Sequence, residues 1–437
     1  MLFRWRIKDN EPCPCGSDKL FRDCCKEKTV SSPAPSRKPP EVQIMEKMRS
    51  SMTRCCLHPD QANCKGRIKE AHALQNNKII SLLAGHDRHV YMLDAKKRPL
   101  LVPLDNGEVI PFVEISRTSA NNATTETCFC DLHDNIVFAA IEKGAPNFDN
   151  SDIMKFTYAY KAFIFEYYKQ TMGMKIYRQC YKENPQAFKG KDSVAMYRMF
   201  QLKEKEFEPI KRHFDSQILS GTCNGVYTCV VEIPEQIKFA DYAFIAPSHD
   251  LNGKRIKHTK RGIMHRISVT IFPEQTKSWL LMSCLDSERK IYEALFKQMQ
   301  EASVQKIKYY LNLVLPLYSE NMVLIAVLVH ILGVLDMVGS LAFYPTEALH
   351  IDHVARRKFD GFLSCRRFCS LLRDRLMRCF RDKFWLRCGM NFWSCGYFRG
   401  RRLWLRNLSL FFLCWQYRFD FCFELRNGRS WGGHDGR

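Results

Sequence analysis

No Gly-rich phosphate loop, no nucleophile-elbow motif and no internal repeat of solenoid length occurs in the 437 residues. Their absence removes P-loop nucleotide hydrolases, the nucleophile-elbow hydrolases and stacked-repeat scaffolds as readings. Acidic residues are comparatively few: 46 Asp plus Glu face 67 Lys plus Arg, a net charge of +21. Such a balance suits a nucleic acid or another anionic surface as partner, because Lys and Arg placed on phosphates release condensed counterions. The charge is unevenly spread, however, since residues 351–437 carry 17 Arg and 2 Lys against 7 acidic residues. The body is therefore only modestly basic. Apolar residues are not lacking; at 46 % they exclude a disordered chain and suffice for a packed core. The opening residues, Met1-Leu-Phe-Arg-Trp, lack the apolar run and small-residue cleavage site of a secretory signal. A reducing, cytoplasmic setting is expected, in which cysteines remain thiols or metal-bound thiolates.

Cysteine is plentiful, and its placement is informative. Cys13-Pro-Cys15-Gly-Ser is followed by Cys24-Cys25, a C-x-C-x8-C-C spacing. Two close pairs joined by a short excursion supply the four thiolates of a tetrahedral structural zinc site without a large core. A disulfide between adjacent Cys24 and Cys25 would be strained. The stretch from Glu11 to Cys25 resembles the SEC-C motif, the small zinc-binding module of the bacterial preprotein translocase motor ATPase that is attached to many otherwise unrelated bacterial proteins. The resemblance implies bound zinc, a bacterial source and a role in protein interaction. Lys19, Phe21 and Arg22 are expected to form the surface that meets a protein or nucleic-acid partner.

A second constellation follows. Cys56 and Cys64, with seven residues between them, precede His72, and Cys130 and His133 follow in a C-x2-H spacing. One turn can present the Cys130 sulfur and the His133 nitrogen to a common ion, with Cys56 and Cys64 completing a tetrahedron from an earlier loop. Cys55 and Cys128 are competing choices that spacing leaves open. His72 would then be left over. The order cysteine pair, histidine, second ligand pair resembles the HNH or treble-clef nucleases, and the resemblance implies a metal-dependent endonuclease with His72 as general base and a catalytic Mg2+ or Mn2+. The chain departs from that pattern: Ala71 stands before His72 where an Asp is usual, and the first pair is C-x7-C. A hydrogen-bonded structural histidine is the alternative.

The expected fold class is α+β. A zinc module over residues 1–28 leads through a Pro/Ser-rich linker (29–42) to a Cys/His metal-site α+β domain (43–150). A helical and antiparallel-sheet domain (151–321) follows, with an aromatic helical stripe at Phe156, Tyr160, Phe163 and Tyr167, strands around Tyr227, Ala243, His265 and Trp279, and one helix from Glu288 to Leu313. The stripe reads as core, with a base-stacking platform as the alternative.

Residues 322–437 differ in character. Met322 to Phe343 is long enough to cross a bilayer, but Asp336 within it carries an insertion cost of about 2.5 to 3.5 kcal/mol. Five of the seven Trp and seven of the twenty Cys then follow residue 350 without periodicity. The expectation is a poorly ordered tail produced by a frameshift near residue 324; a cationic tail for nucleic acid or lipid is the competitor. Overall the sequence points to a zinc-binding interaction protein, with the HNH-like endonuclease as alternative and membrane attachment as a third class.

Overall fold

The computed structural model describes residues 6–27, 43–44, 46–47, 53–93, 100–103, 109–112, 115–143, 147–260 and 263–325. The expected linker and the tail from residue 326, with most of the membrane-span and nearly all of the frameshift reading, lie outside the described residues. Among the described residues no helix is long and apolar enough to cross a membrane.

Strands β1 (Ile68–His72), β2 (His89–Leu93), β3 (Leu100–Pro103), β4 (Val109–Phe112), β5 (Ile115–Ser119) and β6 (Thr125–Cys130) precede two short helices, α1 (Asp131–Val137) and α2 (Ala139–Glu142). Two long helices come next, α3 (Asp152–Glu183) and α4 (Lys191–Ser220). The remainder comprises β7 (Val226–Ile233), β8 (Phe239–Ile245), the small pair β9 (Thr259–Lys260) and β10 (Ile263–Met264), β11 (Ile267–Pro273), β12 (Ser278–Leu285), α5 (Arg289–Glu301), α6 (Val304–Tyr318) and β13 (Val323–Leu324).

The fold is α+β around a seven-stranded sheet in the order β5-β2-β13-β8-β11-β12-β7, antiparallel at every pairing. It takes strands from both sides of residue 150. Both faces are covered, which explains why every residue of β11 is buried. Alternation along β12 divides the side chains: Leu280, Met282 and Cys284 meet Tyr292, Phe296 and Met299 of α5, whereas Trp279 and Leu281 join the cluster built on α3.

Helix α3 is apolar nearly all round because it is enclosed on nearly every side. Tyr158 stacks on Phe272 of β11 with centroids 4.9 Å apart, Tyr160 meets Phe129 and Phe138, and Phe163 packs on Phe207, Phe214 and Phe244. Phe156, Tyr160 and Phe163 are core, with no ring face free for a base. Ile79 and Ile80 close a π-turn (Asn76–Ile80) that runs into the short helix Ser81–Leu83.

The single helix expected from Glu288 to Leu313 is two helices. Ser303 interrupts it: its backbone is extended and its hydroxyl accepts from the Lys306 N–H, capping α6. The break turns both α5 and α6 onto one face of the sheet, where Leu295, Met299, Ile307 and Leu311 share a core.

Candidate metal centres

The segment around Cys55 to Leu57 runs beside β6, with the Cys55 N–H bonded to the Thr127 carbonyl and the Leu57 N–H to that of Cys128. A 3-10 turn (Gln61–Asn63) then brings Cys64 back toward Cys56. β1 pairs antiparallel with β6, and β6 feeds directly into α1, so Cys130 sits at the helix start and His133 in its first turn. Gly66 makes the approach of loop and helix feasible. Its φ of +78° suits glycine, and a Cβ there would stand 2.7 Å from that of Asp131. The Asp131 N–H in turn bonds the Arg67 carbonyl.

Three sulfurs converge on one ring nitrogen. His133 Nδ1 lies 3.4 Å from Cys56 Sγ, 3.6 Å from Cys64 Sγ and 3.3 Å from Cys130 Sγ. A tetrahedral zinc ion with Zn–S of about 2.3 Å and Zn–N of about 2.0 Å places sulfur and nitrogen about 3.5 Å apart, so the donor set fits that ion. Cys55 and Cys128, the competing choices, fall outside the cluster. Burial, reinforced by the neighbouring Cys56 sulfur, pushes the Cys64 thiol up to about 12. Like charges this close cannot ionise together without a cation among them.

The amino-terminal cysteines are gathered by a clip of backbone hydrogen bonds. The Cys13 N–H reaches the Lys19 carbonyl and the Phe21 N–H that of Glu11, with Pro12 bridged to Leu20. Gly16, at φ +76°, returns its N–H to the Cys13 carbonyl and so turns Cys15 toward the same point as Cys13. A 3-10 turn (Phe21–Asp23) delivers Cys24 and Cys25 opposite them. Cys24 Sγ lies 3.5 Å from Cys15 Sγ and 3.7 Å from Cys25 Sγ, close to the ~3.8 Å edge of a zinc tetrathiolate. All four sulfurs lie within 4.8 Å of one another. Residues 10–27 are a SEC-C motif. The match to that family is confined to those residues. No curated protein and no solved structure matches the chain. Both clusters, the four-cysteine set and the set of three cysteines and one histidine, are compatible with zinc.

Within the SEC-C motif the thiols are unequal. Burial raises Cys13 to about 11 and takes Cys25 higher still. Burial also pushes Cys15 upward, but the hydroxyl and backbone N–H of Ser17 outweigh it and bring that thiol down to about 7. The motif is packed against the helix pair. Cys13, Phe21 and Cys25 share an apolar cluster with Ile44, Tyr177 and Tyr181, together with Phe200 of α4, and Arg198 bonds the Glu11 carboxylate and the Arg6 carbonyl. Lys19 and Arg22 are exposed. Phe21 is not: at 8 % exposure it is the apolar peg that seats the motif on α3 and α4.

His72 ends β1 opposite Thr125 and belongs to neither cluster. Its Nδ1–H donates to the Ala123 carbonyl at 2.8 Å, leaving Nε2 as the basic nitrogen. Burial holds its pKa below the ordinary imidazole value. Among the described residues no third group of His, Cys, Asp or Glu side chains has metal-ligand geometry around it. One member of the second centre escapes the sequence reading. His58 stacks face to face on His133 at 3.7 Å. Its place two residues beyond Cys56 was the available signal.

Proposed function

We propose that this chain is a bacterial, cytoplasmic zinc-binding protein that uses its SEC-C motif for interaction with protein or nucleic acid. The carrying observation is the joint burial of Cys13, Cys25 and Phe21 against Tyr177 and Tyr181. The thiols that would hold the metal are packed with the motif and the helix pair, so bound zinc would govern the surface bearing Lys19 and Arg22. A segment this small has too few apolar groups to fold unaided, and metal-binding free energy is what holds it. Elemental analysis of purified, reduced protein is expected to find two zinc ions per chain. Cys13→Ser and Cys130→Ser should each remove one. Association with the partner should require the ion that Cys13 holds; unchanged association of the Cys13→Ser protein overturns the proposal.

A metal-dependent endonuclease is the second reading, and one observation favours it. The Ala123 carbonyl fixes the His72 tautomer, and burial keeps the ring neutral, which suits a general base that activates water. In this reading zinc at Cys56, Cys64, Cys130 and His133 is the scaffold, and Mg2+ or Mn2+ is added from solution. Plasmid cleavage with either cation, abolished in His72→Ala with zinc content unchanged, supports it. No cleavage by the wild-type protein removes it.

A further inference from the structure

From residue 251 to residue 273 the chain contains no Asp or Glu, while Lys254, Arg255, Lys257, Lys260, Arg261 and Arg266 fall within it. The part of this run that follows β8 folds as a ribbon fastened to α5 and α6. Asp250 and Lys254 close a tight turn, His249 bridges Arg255 in antiparallel fashion, and the Ile256 N–H reaches the Ser248 carbonyl. Gln298 of α5 accepts from the Leu251 N–H, Lys306 of α6 donates to Asn252, and the Tyr310 hydroxyl donates to the His249 carbonyl.

Burial alternates along the ribbon. Ile256 and His258 point into the protein, and Lys254, Arg255 and Lys257 are exposed. The turn's one carboxylate is withdrawn from the surface: Asp250 is 5 % exposed, with Oδ1 accepting from the Asn252 and Lys254 N–H groups and Oδ2 from Gln298. Among the described residues neither Lys254 nor Lys257 has an ion-pair partner. Lys254 and Lys257 thus stand on an edge fastened to α5 and α6, with the Asp250 carboxylate turned inward.

We propose that this ribbon is a docking edge for the phosphate backbone of a nucleic-acid duplex, separate from both metal centres. Lys254 and Lys257, three residues apart and both exposed, present two ammonium groups to a phosphate backbone whose charges recur about every 3.4 Å along each strand. Single-strand binders interleave aromatic platforms with their cations, and residues 251–258 contain no Phe, Tyr or Trp. Recognition by this edge is electrostatic and indifferent to base sequence.

The test is a salt titration of full-length protein with a fluorescent 20-base-pair DNA duplex. Each lost phosphate contact lowers the slope of log affinity against log salt by about 0.9, so Lys254→Gln/Lys257→Gln should lower it by about 1.8. Lys254→Arg/Lys257→Arg should restore it, and Lys297→Gln, at an exposed position of α5, should leave it unchanged. The arginine-rich residues 351–437 are common to all four proteins and cancel in the comparison. An unchanged slope in the double Gln protein overturns the assignment. So does equal displacement of the duplex by polyglutamate or by phosphatidylserine vesicles at matched charge, which would make the edge a general anion binder.

Discussion

The rings of His58 and His133 lie parallel to within 7°, their centroids 3.7 Å apart. The Asp60 N–H donates to His58 Nδ1 and fixes that ring, and His58 in turn holds the His133 ring with Nδ1 aimed at three sulfurs. Burial, and then the neighbouring His133, keeps the His58 pKa below the ordinary imidazole value. A ligand held in this way loses less freedom on binding a metal.

Replacing His58 by Ala should therefore weaken zinc at the second centre by roughly tenfold, by analogy with other supporting residues around metal ligands. Competition with a chromogenic chelator measures it. His58→Phe, which keeps the stack, should recover most of the loss; equal weakening in both variants would show that the Asp60 contact matters and the stacking does not.

Phe21 seats the SEC-C motif, and its removal should undock the motif from α3 and α4. Large-to-small changes at buried phenylalanines cost about 3 to 5 kcal/mol. For Phe21→Ala the expected signature is local: rapid proteolysis in the amino-terminal residues and faster exchange of zinc from that site, with the second centre unaffected. Lys19→Ala and Arg22→Ala, both exposed, should leave proteolysis unchanged.

Asp241 is buried in β8, accepts from the Ser319 hydroxyl through Oδ1, and has no partner on Oδ2. Burial raises its carboxyl from the usual 3.8 to about 8. Between about pH 4 and pH 8 the native chain therefore binds a proton that the unfolded chain has released, and this group's contribution to stability falls as pH rises through that window. Asp241→Asn keeps the acceptor and removes the titration. Its unfolding free energy from urea titration should exceed the wild-type value at pH 8, by a margin on the order of a few kcal/mol, and approach it at pH 4. A constant gap between the two proteins would refute the assignment.

Ser303 is a smaller lever. Loss of its cap in Ser303→Ala should cost about 1 kcal/mol and lower the urea midpoint without changing the slope of the transition.

Much of this architecture is written locally. The C-x-C-x8-C-C spacing, with Gly16 where positive φ is needed, specifies a four-sulfur cage over residues too few to offer an alternative. Strand periodicity around Tyr227 and Trp279 and the aromatic stripe from Phe156 are likewise local, because residues two apart on a strand or three and four apart on a helix must share a face. The Ser303 cap was missed, because the apolar pattern on either side of it reads as one continuous helix.

Other features depend on contacts between distant parts of the chain. Whether Cys55 or Cys56, and Cys128 or Cys130, joins His133 depends on the register of β6 against the preceding loop, which spacing leaves open. Phe21 has the composition of a surface contact in its own segment and becomes core only because α3 and α4 fold against it. Lys254 and Lys257 form a cationic edge because Asp250 turns inward to Gln298, a partner 48 residues away. The sequence by itself determined the first metal cage and the α+β class, since both follow from spacing and alternation over short stretches. Tertiary structure decided the second cage, the burial of Phe21 and the basic edge, since each depends on side chains that meet only when remote segments pack.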